Sequence, residues 1–327
     1  MANVTKRAVL VGCNYPHTKF RLHGCIQDVQ SIKRVIMDKF GFHETNIQVL
    51  TDDDRDGTPG WLPSSLPTGA NIKAALNEMA KRAKAGDVLF FYFSGHGTAI
   101  PVLEAGRPFR QDEAIVPSDL NLVTDVDLRR FVNRLPEGVS FTILSDSCHS
   151  GVLIEKKKEQ IGAAKKRKAP ENPPKPKGKA EIKFLGFHFI SHVIDDAAGF
   201  AHDGGNKTSQ GAHKIFGKDV SLKFHPHYTG GAIELGPVQE DEGILLSGCE
   251  VDETSYDIVL GDQAFGAFTD AVVKFLNGHH LCATISNGQL LAGAAKKLEE
   301  QGYEYEQNPC LYCSDKNKSE PFLGGFV

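Results

Sequence analysis

Two apolar runs that each end in a reactive side chain constrain this 327-residue chain more than any other feature. Asp87 to Phe93 is apolar at every position after the first, then runs into Ser94-Gly95-His96-Gly97. Ser140 to Leu144 runs into Ser145-Asp146-Ser147-Cys148-His149-Ser150-Gly151. A continuous apolar run without alternation predicts a strand buried on both faces, as in a parallel sheet. Function gathers at the carboxyl ends of such strands, where His96 and Cys148 both fall.

The surrounding pattern agrees. Arg7 to Gly12 predicts a first strand, Ile26 to Phe40 a helix closed by Gly41, and Ile47 to Leu50 a second strand. An acidic, Gly/Pro-rich loop spans 52–67, and Thr68 caps a helix expected to reach about Ala85. Asp125 to Leu135 predicts another helix. After a long interruption come a strand at Gly243 to Ser247, helices at Ala267 to Leu276 and Asn287 to Glu300, and a short strand at Cys310 to Cys313. Alternating strands and helices imply an α/β fold, with a mainly parallel central sheet flanked by helices on both faces. The expected division is a large region at 1–154, a basic linker and irregular insert at 155–239, and a small region at 240–327 that completes the same sheet.

Charge is unevenly placed. Glu155 to Lys183 holds 11 Lys/Arg against 4 acids, leaving 26 bases against 37 acids elsewhere. This is an acidic body with a basic insert. In its Pro-rich setting the run Lys165 to Lys168 reads as an exposed linker, with a nuclear-import or nucleic-acid patch as the competing reading. The longest apolar stretch, Val88 to Phe93, is far short of the roughly 18–20 residues of a membrane span. Lys6 and Arg7 precede too short an apolar run for a signal peptide. Seven scattered cysteines argue against a disulfide framework and for a reducing compartment. A cytoplasmic monomer without nucleic-acid or membrane partners is expected, with an apoplastic or nuclear location as the alternative.

His96 precedes Cys148 by 52 residues. A thiol is weakly ionised near neutral pH, and the attacking species is the thiolate. A neighbouring imidazole lowers that cost and later protonates a departing amine. The backbone N–H groups of Gly97 and Cys148 are candidate oxyanion donors, and the glycines flanking His96 suggest close backbone approach to a substrate. Spacing names no third catalytic residue. A lone Cys148 would read as a buried structural thiol, and a lone Asp28 as a surface helix acid. His149 beside Cys148 supplies no spaced ligand pair for zinc, and the CxxC of Cys310 and Cys313 reads as strand packing.

SGHG with DSCHSG, and LHGCIQDV near the start, resembles a plant type II metacaspase. VLVGCNYP, GANIKAAL, DEAIVPSDLNL and CLYCSD extend the resemblance, which is greatest towards the metacaspase-9 branch. It is strong over 7–162, moderate over 243–315 and poor over 181–239. It implies a caspase-like fold and a cysteine endopeptidase cutting after Arg or Lys, active in stress proteolysis or programmed cell death. His96 and Cys148 match the catalytic dyad, and Asp28, Ser94 and Asp146 match the basic-residue pocket. A zymogen maturing by cleavage of its own linker is implied; Lys179 before Ala180 matches best, with Arg167 and Lys183 as competitors. Many relatives bind calcium through acids that Asp112, Glu113, Asp125 and Asp127 match here, but Val126 interrupts the second group and Arg107 and Arg110 precede the first. No required cofactor is therefore expected. The alternative from another class is a lapsed caspase-fold scaffold that acts by binding proteins.

Overall fold

The computed structural model describes residues 4–53, 63–102, 110–148, 159–161, 179–181, 214–224, 241–250, 253, 255–280, 282–302 and 307–324. The central sheet is built from β1 (Lys6–Gly12), β2 (Ile47–Thr51), β3 (Val88–Ser94), β7 (Ser140–Asp146), β8 (Glu159–Ile161), β10 (Ile244–Ser247) and β13 (Cys310–Tyr312). Its seven strands lie in the order β2-β1-β3-β7-β10-β13-β8. The five from β2 to β10 are mutually parallel, and β13 runs antiparallel to both β10 and β8. Strands on either side of the long interruption therefore share one sheet.

Every residue of β3 is buried, and its side chains alternate between two cores. Leu89, Phe91 and Phe93 enter one with α2 (Gly69–Lys81) and α3 (Asp125–Val132), through Ile72, Leu76, Leu128 and Phe131. Phe90 and Tyr92 enter the other with α1 (Cys25–Phe40), α4 (Ala267–Asn277) and α5 (Asn287–Gln301), through Ile32, Ile36, Val272 and Leu291. Helices thus cover both faces, which is why this run carries no polar alternation. Cys310 faces the first core and Cys313 the second, so the CxxC pair packs on opposite sides of the sheet.

Two small antiparallel sheets were not anticipated. One joins β4 (Gly97–Val102), β5 (Arg110–Ile115) and β6 (Val123–Thr124); the other has the order β12 (Gln263–Gly266), β11 (Asp257–Leu260), β9 (Lys179–Glu181). Two helices end earlier than expected. α2 stops at Lys81 with Arg82 as its cap, and α3 stops at Val132, because the chain turns there to enter β3 and β7. Part of the supposedly irregular middle is ordered: Val220 and Phe224 bury against α2 and α3, followed in the chain by undescribed residues. A short α6 (Asp315–Ser319) follows β13. Among the described residues no helix is long and apolar enough to cross a membrane.

Candidate active site

Parallel pairing aligns the ends of β3 and β7, with Ser94 opposite Asp146. The turns that follow place His96 and Cys148 on one cleft with Leu22, Cys25, Asp28, Ser94, Asp146, Ser255, Tyr256, Asp257 and Gly266. The glycines around His96 are required by packing. A Cβ on Gly97 would lie 1.7 Å from the Cys148 carbonyl oxygen, and one on Gly95 would lie 2.8 Å from the Phe93 ring. The SGHG turn is pressed against the turn that carries the thiol.

His96 is 3% exposed. Its Nε2 lies 2.7 Å from the Phe20 carbonyl oxygen, which can only accept, so Nε2 carries the proton and Nδ1 is the basic nitrogen of the neutral ring. A main-chain carbonyl thus supplies the orienting partner that spacing could not name. Cys148 Sγ accepts the Ser255 N–H at 3.1 Å. Burial pushes its thiol up to about 11, against that hydrogen bond. Val116 N–H donates to the His96 carbonyl at 2.9 Å, making His96 and Val116 the hydrogen-bonded pair of the β4–β5 ladder. Gly97 then falls at the alternate position, and its N–H is directed away from β5.

The floor of the cleft is acidic. Asp28 accepts the Ser94 hydroxyl at 2.9 Å and the Gly266 N–H at 2.9 and 3.0 Å. Asp146 accepts the Ser255 hydroxyl at 2.5 Å, and the Thr269 N–H and hydroxyl at 2.8 and 2.7 Å. Both carboxylates therefore meet the start of α4, where unpaired N–H groups favour negative charge. A Cβ on Gly266 would lie 2.3 Å from Asp146 Oδ2 and 2.8 Å from Asp28 Oδ2, so only glycine fits the wedge between them. Burial raises both carboxyls above the ordinary range, and for Asp28 the Asp146 charge adds to it. Asp257 brings a third carboxylate, clasping the N–H groups of His23 and Gly24 at 2.8 Å each.

Among the site residues that sequence reasoning did not name are Ser255, Asp257, Gly266 and Thr269. A signal existed: Asp252 to Asp257 forms an acidic run just past the carboxyl end of β10, where α/β sites gather. The cleft has an open volume of only ≈ 20 Å³, while a roomier cavity of ≈ 670 Å³ lies between α4 and α5, away from Cys148 and His96.

Two of the calcium candidates, Asp125 and Asp127, are already engaged. Asp127 is occupied by the Thr124 N–H at 3.0 Å and the Leu222 N–H at 3.1 Å, and Lys223 Nζ lies 3.9 Å from Asp125 Oδ1. Asp112 pairs through its backbone with Ile100, and Glu113 is fully buried. Among the described residues no three His, Cys, Asp or Glu side chains group as a metal site, and a cap plus an ammonium does not fit a divalent cation. His149, Arg107, Arg167 and Lys183 lie outside the described residues. Lys179 lies in β9, paired with Val259.

A family profile described as metacaspase, peptidase C14 domain, matches residues 6–157. Metacaspase-9 of Arabidopsis thaliana is 44% identical over 98% of this chain and 97% of its own length. Metacaspase-7 of the same plant is 32% identical over 98% of this chain and all of its own. Metacaspase-1A of Aspergillus oryzae is 31% identical, covering 95% of this chain and 68% of its own. A solved structure of a Geobacter sulfurreducens protein covers 99% of this chain and all of its own with a TM-score of 0.59 at 16% identity, a likeness of fold. With sequence identity running the length of the chain and a helix-flanked, mostly parallel sheet beneath the Cys148 cleft, the chain belongs to the metacaspases, cysteine endopeptidases of caspase-like fold.

Proposed function

We propose that this endopeptidase cuts after Arg or Lys, with Cys148 as nucleophile and His96 as general base and acid, and that it is made as a zymogen that cleaves its own linker. The observation that carries the specificity is the buried Asp28–Asp146 pair on the floor of the cleft holding Cys148 and His96. A carboxylate pair binds a guanidinium or ammonium group and repels an Asp side chain. In the reaction the Cys148 proton passes to His96 and sulfur bonds to the scissile carbonyl carbon. The oxyanion meets the N–H groups of Gly97 and Cys148. The C–N bond then breaks as His96 returns the proton to the amine, and water hydrolyses the thioester.

Two features support a zymogen. The open volume of ≈ 20 Å³ has room for about one water and not for a long basic side chain, so the cleft must widen to take one. β9, carrying Lys179, adds to β11, whose first residue, Asp257, lines the cleft. Lys179 is thus the favoured processing position. No calcium requirement is proposed, given the engaged oxygens of Asp127.

A peptide panel tests the reading, with Arg, Lys or Asp before the scissile bond and Cys148→Ala as control. Arg and Lys peptides should exceed Asp by more than about 100-fold in kcat/KM. Mass spectrometry of the incubated chain should find a new end after Lys179 in wild type alone. A preference for Asp, or equal persistence of both full-length chains, overturns the proposal.

A further inference from the structure

Tyr15 has a φ of +49°, in the left-handed region that a bulky side chain seldom enters. Such residues persist only where their surroundings over-determine them. Here Asp52, directly after β2, accepts the N–H groups of Asn14 and Tyr15 at 2.7 and 2.8 Å. The Thr18 N–H and hydroxyl both return to the Tyr15 carbonyl at 3.1 Å. The turn is therefore tied down on both of its backbone faces.

What the strain delivers is a side chain aimed at His96. The Tyr15 ring stacks on the imidazole, with centroids 4.7 Å apart and planes 28° from parallel. Its hydroxyl accepts the His96 N–H at 2.9 Å and donates to the Val116 carbonyl at 2.5 Å. The hydroxyl thus bridges one of the two bonds of the His96–Val116 pair beside the β4–β5 ladder, the other being the direct Val116 N–H to His96 carbonyl bond. Phe20, five residues on in the same loop, accepts the edge of the imidazole at Nε2. The loop grips His96 from its face, its edge and its main chain. Tyr15 itself does not line the cleft, so it acts through His96. A cation over a tyrosine face is also attracted by the ring, which favours the imidazolium formed when Cys148 gives up its proton.

We propose that Tyr15 is a positioning residue for His96, setting the plane and main-chain position of the imidazole that acts on Cys148. This rests on His96 being the general base, so the experiment separates the two. Full-length chains carrying Tyr15→Leu, Tyr15→Phe or His96→Ala are compared with wild type on an Arg peptide, normalised to the processed fraction, with thermal midpoints recorded. A misplacement of this kind should lower kcat by about 100-fold in Tyr15→Leu with KM changed less than about threefold. Tyr15→Phe, which keeps the stack and loses the bridge, should fall in between at about tenfold. A loss carried by KM, or kcat within about threefold of wild type in a folded Tyr15→Leu, overturns the proposal. Should Tyr15→Leu fail to fold, Tyr15→Phe decides, and an unchanged kcat there overturns it. If His96→Ala is inactive while Tyr15→Leu is not, only the role of Tyr15 fails. If His96→Ala keeps wild-type turnover, the reading of His96 fails and takes this one with it.

Discussion

Asp28 and Asp146 show how one residue type reads differently in sequence and in space. Alone in its motif Asp28 looks like a surface helix acid, yet it is 2% exposed. Burial, then the Asp146 charge, raises its carboxyl despite the Ser94 and Gly266 hydrogen bonds. A carboxyl whose native value lies above its unfolded one contributes stability at low pH that is lost as pH rises through the native value. Asp28→Asn removes that neutral-pH cost and should raise the thermal midpoint at pH 7 by about 2–4 °C. The same change should lower kcat/KM for Arg and Lys peptides by more than about 100-fold. A variant that is less stable and fully active would contradict the assignment. Binding a guanidinium favours the ionised pair and so releases protons. For wild type, KM on an Arg peptide should fall as pH rises from the acid side towards neutrality, and a KM that rises instead would exclude this pocket chemistry. Cys148 is the converse case. With its thiol pushed up to about 11 it is protonated at neutral pH in the closed cleft, which suits a latent form.

Among the elements, the strands of the central sheet that carry apolar runs were legible, the edge strand β2 included, and the small antiparallel sheets were not. β3 and β7 announce themselves because every position before the terminal Asp146 of β7 is apolar or small. β4 contains Pro101 and β5 opens Arg110-Gln111-Asp112-Glu113, a composition that suits an edge sheet and carries no strand signal of its own. The ordered piece of the middle segment is similar. Residues 214–224 have no periodicity, and their order comes from what they touch: the Asn121 amide donates to the Asp219 carbonyl at 2.9 Å, and Ser221 meets Thr124 at 2.8 Å. That contact also bears on calcium, since it brings the Leu222 N–H to Asp127 and the Lys223 ammonium to Asp125. Peptide cleavage should therefore be unchanged by a calcium chelator or by millimolar added calcium. A loss of activity with the chelator that calcium restores would show that these acids open to a cation.

For the whole molecule, the interleaving of strands sets what a cut in the linker can do. β10 inserts beside β7, and β13 pairs with β10. Lys6 Nζ donates to the Leu323 carbonyl at 3.0 Å, and Asp257 holds the turn before α1. Separating the two pieces would expose both cores, so chain cut after Lys179 should elute from gel filtration as a single species of uncut size. Two resolved fragments under native conditions would contradict this architecture. Periodicity and apolar runs were enough for the α/β class and the helix-covered sheet, because local composition reports burial. The motifs were enough to single out Cys148 and His96, which the fold brings to one cleft, because thiol and imidazole are recognisable residue types. Only folding decided the rest of the cleft. Phe20 contributes a carbonyl, Ser255 and Gly266 contribute N–H groups, and backbone atoms leave no mark on side-chain identity. Asp257 is some 230 positions from the His23 and Gly24 amides it binds, a distance that no local pattern spans and that sheet pairing closes.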